Sequence, residues 1–293
     1  NHNGSIDLAK KHIESAKESN ATIAKFQTYF TEKRAKQNSP IFEILKQCEL
    51  SIDDFFELKS FCDNIGIEFA STAFCEESAE NLCKINCETI KIASFHLRNL
   101  KLIKRILNLK NCKHLIISTG VSSSLDLLAA NNLYDSIKNI NLPSLSFLHC
   151  ISEYPISNIS NYNLSNIPYI KKITSKKVGY SDHSKGPLAP SYAVALGAQI
   201  IEKHFTIDNN LKGADHSMSA NPKVFKEMVE MCEDLKIMLG SRRLNNHYEC
   251  EKNSFDSVIR AAKEFEIDID LENKGNEQSI LIRDEHSVDS NHL

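Results

Sequence analysis

Seven short apolar runs, each closing on polar, reactive side chains, constrain this chain more than any other feature. They are TIAKFQT (22–28), IEFASTAF (67–74), TIKIAS (89–94), HLIIST (114–119), LSFLHC (145–150), KVGYSD (177–182) and AQIIEKHF (198–205), and a helix-like stretch follows nearly every one. Runs of this length, alternating with helical periodicity, predict parallel βα units. Lys25, Gln27, Thr72, Lys91, Ser94, Ser118, His149, Asp182, His183 and His204 all fall at or near the carboxyl ends of these strands. That is the end where βα-barrels and open parallel sheets hold ligands. A purely structural protein has no reason to close so many buried strands on Lys and His, so the pattern points to an enzyme.

An amphipathic helix precedes the first strand. Residues 5–19 place Ile6, Ala9, Ile13 and Ala16 on one face behind Ser5 as N-cap, and Asn-His-Asn-Gly (1–4) leads in as a loop. Further helices are expected near 53–65, 76–84, 99–109, 123–139, 162–174, 187–196 and 222–239. A leading helix and seven strands predict an α/β fold, a (βα)8 TIM barrel over 1–240 whose first strand is missing from this chain. Two unpaired sheet edges would follow, a liability for aggregation. A doubly wound open sheet is the alternative, but no Gly-rich phosphate loop follows any strand. Residues 157–166 read as a surface loop and 241–257 as a charged linker. Within 257–272 a short strand or two is expected, and the polar remainder to 293 reads as disordered.

Bulk properties narrow the partners. A formal net charge of −3 argues against nucleic acid or an anionic membrane surface, so an anionic ligand must be met by locally placed lysines. The nine cysteines are scattered without a CxxC pair, as in a protein of a reducing cytoplasm. No apolar run reaches the 18 residues of a membrane span.

Two constellations carry chemistry. Lys25 and Gln27 lie two apart on a strand and so share a face, here the barrel mouth. Lys91 closes another strand beside Ser94, and Ser118-Thr119-Gly120 ends the next. Two ammoniums amid hydroxyl and amide donors suit a phosphate or carboxylate, although a strand-end lysine can also simply extend to solvent. His183 and His204 end successive strands, roughly 4.8 Å apart when paired, and can share one divalent ion such as Mn, Fe or Zn. Asp182, Glu202 and Asp215 are candidate supports. The blander alternative makes both imidazoles rim residues bonded to Asp182 and Glu202. His149 is a third candidate, equally readable as a buried, hydrogen-bonded side chain. A Ser-His-Asp hydrolase is set aside because no Gly-x-Ser-x-Gly elbow occurs.

The strings NHNG (1–4), KFQT (25–28), GIEFASTAF (66–74), KIASF (91–95), STG (118–120), LHCISEYP (148–155), GYSDHSKG (179–186), ALGAQIIEKHFT (195–206) and DHSMS (215–219) together resemble the sialic acid synthases. That family includes N-acetylneuraminate, legionaminate and pseudaminate synthases. The resemblance implies a barrel that condenses phosphoenolpyruvate with the open-chain aldehyde of an N-acyl hexosamine, releasing phosphate and a nine-carbon 2-keto acid. It implies Mn2+ or Mg2+ on His183 and His204, and a homodimer. It places phosphoenolpyruvate on Lys25, Gln27, Thr72, Lys91, Ser94, Ser118 and Ser181, and the sugar on Tyr154, Asp215, Phe74 and Ser152. LHC at 148–150 leans towards a neuraminate or legionaminate synthase. Three departures stand out. The family has a strand ending in glutamate just before NHNG, and it usually carries glutamate where this chain has His96. Only residues 260–274 faintly resemble the start of its C-terminal antifreeze-like domain, so 258–293 reads as a remnant of that domain plus a tail. The competing expectation is a degenerate barrel that binds a sugar, a phosphate or a partner without turnover.

Overall fold

The structure, a computed structural model, describes residues 1–138, 140–240 and 249–266. Two units divide after Gly240. The first runs α1 (Ile6–Glu18), β1 (Ile23–Thr28), α2 (Thr31–Arg34), α3 (Phe42–Cys48), α4 (Ile52–Ile65), β2 (Glu68–Ala73), α5 (Glu76–Lys84) and β3 (Thr89–Ile92). It continues with α6 (Leu100–Leu107), β4 (His114–Ser118), α7 (Ser124–Ser136), β5 (Ser144–Cys150), α8 (Asn166–Thr174), β6 (Lys177–Asp182), α9 (Leu188–Ala195), β7 (Ile201–Lys203) and α10 (Pro222–Leu239). All seven strands pair in parallel in sequence order. This is the expected α/β architecture.

The helices start where local chemistry stops the strands' extended backbone. Ser5, Ser51 and Ser123 each accept an N–H of the first turn through the hydroxyl, and Ser51 and Ser123 form reciprocal boxes with Asp54 and Asp126. In α6 the apolar face of Leu102, Ile103, Ile106 and Leu107 is buried while its lysines and arginine face out. One face of each strand packs with such residues: Phe69, Ile90, Ile92, Leu115, Ile117, Phe147 and Val178 lie in the layer between sheet and helices. The other face carries Ala70, Thr72, Ile116, Ser118, Leu148 and Ser181, all buried, inside the curl. Gly179 of β6 belongs to this tight interior, because a Cβ there would stand 2.3 Å from the Ile200 carbonyl oxygen.

The sheet is strongly curled. Flat, its seven strands would hold β1 and β7 roughly 29 Å apart, yet Lys25 Nζ of β1 lies 3.5 Å from Glu202 Oε1 of β7. A cavity of about 520 Å³ runs along the seam between these two strands, lined by residues 23–27 and 200–205 and by Ala9 and Ile13 of α1. The Asn-His-Asn-Gly segment crosses the seam. Asn1 Nδ2 donates to the Phe205 carbonyl at 2.6 Å and to Ser219 Oγ at 2.8 Å, and Asn3 Nδ2 donates to the Lys212 carbonyl at 2.7 Å. Gly4, at φ +78°, passes so close to α3 that a Cβ would stand 2.1 Å from the Gln47 carbonyl oxygen.

The structure corrects several expectations. The two short helices α2 and α3 lie in a stretch for which no element was expected. The strand expected over 198–205 is assigned only over Ile201–Lys203, although Gln199 N already donates to the Val178 carbonyl at 2.8 Å. In the second unit, α11 (Lys252–Glu264) is a helix where the linker's end and a strand were expected; its Arg-Ala-Ala-Lys-Glu stretch consists of strong helix formers. The rest of the linker (241–248), the end of the expected strand and the tail from 267 lie outside the described residues. Among the described residues no helix is long and apolar enough to cross a membrane, and all nine cysteines are unpaired thiols.

Candidate active site

The parity of each strand decides which side chains reach the mouth. Gln27, Thr72 and Lys91 are register partners across β1, β2 and β3, so they form one level of the interior. Lys25 lies one level below Gln27 and reaches Thr72 Oγ1 at 3.4 Å. Between the two lysines sits Glu202, whose carboxylate contacts Lys25 at 3.5 Å and Lys91 more closely still. Burial alone would push the Glu202 carboxyl up, but the Lys91 and Lys25 ammoniums outweigh it and hold the pKa down to about 2. Burial lowers the Lys25 pKa, with Glu202 opposing. Glu202 was anticipated beside the histidines; it is instead the shared counter-ion of the lysine pair.

Hydroxyls complete this floor. Ser118 Oγ, at the end of β4, is buried and has no hydrogen-bond partner among the described residues, unlike most buried polar groups. Ser94 Oγ accepts the Gly120 N–H at 3.0 Å. A Cβ on Gly120 would stand 2.5 Å from Ser152 Oγ and 2.9 Å from Ser94 Oγ, which explains the glycine of STG and places Ser152 at the same rim. Ser181, buried on β6, is the register partner of both Cys150 and Glu202.

Across the mouth, the His183 and His204 rings lie 5.6 Å apart, with the Tyr154 ring 4.0 Å from His183 and 5.8 Å from His204. His183 Nδ1 is 2.6 Å from the Ile151 carbonyl, so that nitrogen carries the proton and Nε2 keeps its lone pair. His204 Nδ1 stands 3.6 Å from Asp215 Oδ2. Burial lowers both imidazoles, His204 to about 4, against the opposing charge of Asp215 at His204 and the Ile151 carbonyl at His183. Both are therefore neutral near pH 7, the form that can ligate a cation. Among the described residues no three His, Cys, Asp or Glu side chains converge into a metal cage; the two imidazoles, each with a free ring nitrogen when neutral, are the residues that could hold an ion.

Neither imidazole bonds to Asp182 or Glu202. Asp182 neighbours His183 along a strand and so points to the opposite side. It lies under the helices, fully buried, paired with Lys203 and accepting the Ser184 N–H at 2.9 Å and the Ser184 hydroxyl at 3.0 Å. His149 also faces outward, its Nε2 2.8 Å from the Tyr162 carbonyl and its ring stacked on Tyr180. Phe74, just past the end of β2, packs against Tyr29, Phe95 and His96, with ring centroids 5.8 to 6.0 Å apart. The residue that sequence reading missed is Arg34: its guanidinium lies 4.2 Å from the Phe74 ring centroid and donates to Gln27 Oε1 at 3.0 Å. The only signal was an arginine six residues after a strand, in a stretch with no periodicity.

A curled parallel sheet whose carboxyl-end mouth carries paired lysines and paired imidazoles has the architecture of a βα-barrel with its polar side chains gathered where such barrels hold ligands. The NeuB family profile matches residues 12–243. The chain is 37% identical over 259 residues to N,N'-diacetyllegionaminic acid synthase of Legionella pneumophila, covering 82% of this chain and 71% of that protein. It is 42% identical over 241 residues to an uncharacterized protein of Methanocaldococcus jannaschii, covering 82% and 70%. The crystal structure of N-acetylneuraminic acid (sialic acid) synthetase from Leptospira borgpetersenii superposes with a TM-score of 0.81 at 33% identity, covering 88% of this chain and 87% of that one. The chain belongs to the NeuB family, whose named members here are sugar-acid synthases.

Proposed function

We propose that this chain condenses phosphoenolpyruvate with an N-acyl hexosamine to a nine-carbon 2-keto sugar acid, releasing phosphate. The observation that carries the reading is the convergence of the Lys25 and Lys91 ammoniums on Glu202, at the same carboxyl-end mouth as two neutral imidazoles. The ammoniums, with Gln27, Thr72, Ser94 and Ser181, hold the phosphate and carboxylate by charge-assisted bonds and orient the enol carbon towards the mouth. Glu202 keeps the two lysines together before the anion arrives and limits the net positive charge of the site. Tyr154, Asp215, Ser152 and Phe74 surround the space left for the sugar. His183 and His204 would hold Mn2+ or Mg2+, which when bound polarises the sugar aldehyde as a Lewis acid. Phosphate release from phosphoenolpyruvate, measured with a panel of N-acyl hexosamines and either ion, tests the reading; no release with any sugar would sink it.

The same proposal places an eighth strand in the seam between β1 and β7, where consecutive residues of both strands border the cavity, and it takes the working enzyme to be a homodimer in a reducing, cytoplasmic setting. We further propose that residues 258–293 are a remnant of an antifreeze-like domain followed by a tail.

The metal ligands can be checked directly. Mn2+ titration by electron paramagnetic resonance should show His183→Ala and His204→Ala each weakening binding beyond the roughly 10–100-fold that loss of a supporting partner costs. Ligation needs a neutral imidazole, so affinity falls as pH drops through the pKa. With His204 near 4, binding should survive well below the ordinary imidazole pKa of about 6.5. Equal Mn2+ binding in all three proteins removes both residues from the metal site.

A further inference from the structure

We propose that the buried Asp182–Lys203 pair is a positioning device that sets the spacing of the His183 and His204 imidazoles. The proposal rests on the metal reading of those two rings and assigns the residues that hold them in place. Asp182 and Lys203 are register partners across β6 and β7, and each immediately precedes one of the imidazoles. Successive strand residues point to opposite faces, so the pair lies behind the sheet while the rings face the mouth. Lys203 Nζ contacts Asp182 Oδ2 and also donates to the Ser184 carbonyl at 2.7 Å. Asp182 in turn accepts the Ser184 N–H at 2.9 Å and its hydroxyl at 3.0 Å. Both neighbours of His183 along the chain are therefore tied to Lys203 and to each other, and the His183 carbonyl accepts the Ile156 N–H at 3.1 Å. The backbone that carries the first imidazole is fixed from the residue just before the second.

β7 is the strand that needs such a tie. It is 3 residues long, against 6 in β1 on the other side of the seam, and three register pairs join it to β6. A one-residue slip would turn Glu202 and His204 away from the mouth and bring Lys203 into it. Glu202 binds lysines of β1 and β3, so the charges on the inner face do not fix β7 against β6. The outer pair does, because a slip would leave two buried charges without each other. A buried ion pair adds little net stability over apolar side chains of the same volume, and its best-attested use is to specify register. Here that specificity falls one residue before each imidazole, where the ring separation of 5.6 Å has to be held.

The test separates position from stability. Asp182→Leu combined with Lys203→Met should keep most of the wild-type Tm, since an apolar pair replaces the charges. It should nevertheless bind Mn2+ roughly 10–100-fold more weakly by electron paramagnetic resonance, as when the supporting partner of a metal ligand is lost. Asp182→Asn combined with Lys203→Gln, a neutral pair that can keep the hydrogen bonds to Ser184, should recover part of that affinity. A merely structural role ranks Mn2+ affinity with Tm, whereas a positioning role ranks the hydrogen-bonding pair above the apolar one whatever their Tm. Unchanged Mn2+ affinity in the folded leucine–methionine variant overturns the proposal, as does an affinity that falls only in step with Tm across both variants. If wild type takes up no Mn2+, the metal reading itself fails. In that case, or if the variants do not fold, hydrogen exchange in the wild-type protein decides. Residues 201–204 exchanging no faster than β1 upholds the tie, and exchange there at the rate of a free strand edge overturns it.

Discussion

Lys91→Ala should weaken phosphoenolpyruvate binding roughly ten- to a hundredfold, the equivalent of one charge-assisted bond of about 1.5–3 kcal/mol. Lys91 is the more buried of the two mouth lysines, with 8% of its side chain exposed against 23% for Lys25, and it makes the closer contact with Glu202. Its loss removes a donor and also leaves Glu202 facing the incoming anion with only Lys25 to neutralise it. The Lys25→Ala, Lys91→Ala double variant should therefore bind more weakly than the product of the single effects, because the unopposed Glu202 carboxylate then repels the ligand. Adding Glu202→Gln should recover part of the loss. Calorimetry with phosphoenolpyruvate reads all of these, and unchanged affinity in the double variant would remove the lysines from the substrate site.

The largest effect on stability is expected away from the mouth. Lys203 and Asp182 are 3% and 0% exposed, and the ammonium also donates to the Ser184 carbonyl at 2.7 Å. Lys203→Met leaves Asp182 as a buried charge with only the Ser184 N–H and hydroxyl, at a cost of about 3–5 kcal/mol. For a chain of this size that lowers Tm by roughly 6–20 °C. Lys203→Met combined with Asp182→Leu should regain most of the loss, since a well-packed apolar pair can replace a buried ion pair. By contrast Lys59→Met, which breaks a pair whose aspartate is 58% exposed, should cost less than about 1 kcal/mol. A Tm for Lys203→Met within about 2 °C of wild type, well inside the shift expected, would show that Asp182 is not held as a buried charge.

The alternation of apolar runs with amphipathic stretches was enough to locate the seven strands and most of the helices, because burial of one strand face and one helix stripe is written directly in residue spacing. α5, with Ser78, Ala79 and Leu82 buried, and α10 begin and end where that periodicity says. Strand parity likewise put Lys25, Gln27, Lys91, His183 and His204 at one mouth. The same parity, applied to Asp182, would have sent it outward to Lys203. Its closeness in sequence to His183 does not bring it to the mouth, because adjacent strand residues point to opposite faces.

Other features depended on which strands meet around the curl. Glu202 lies two residues from His204 and looks like its partner along the chain, but curvature of the sheet brings β7 to β1 and β3, and the Coulomb attraction of two lysines settles its position. Arg34 and His96 are 62 residues apart in number and share no pattern; only the folding of the β1 and β3 loops over Phe74 makes them neighbours. Asn1 and Asn3 read as plain loop residues until their amides reach carbonyls more than 200 positions away. Periodicity, a local property of burial, was thus legible in the sequence by itself. The pairing of charges and donors across the mouth depends on distances between elements remote in sequence, and only the tertiary structure decided it.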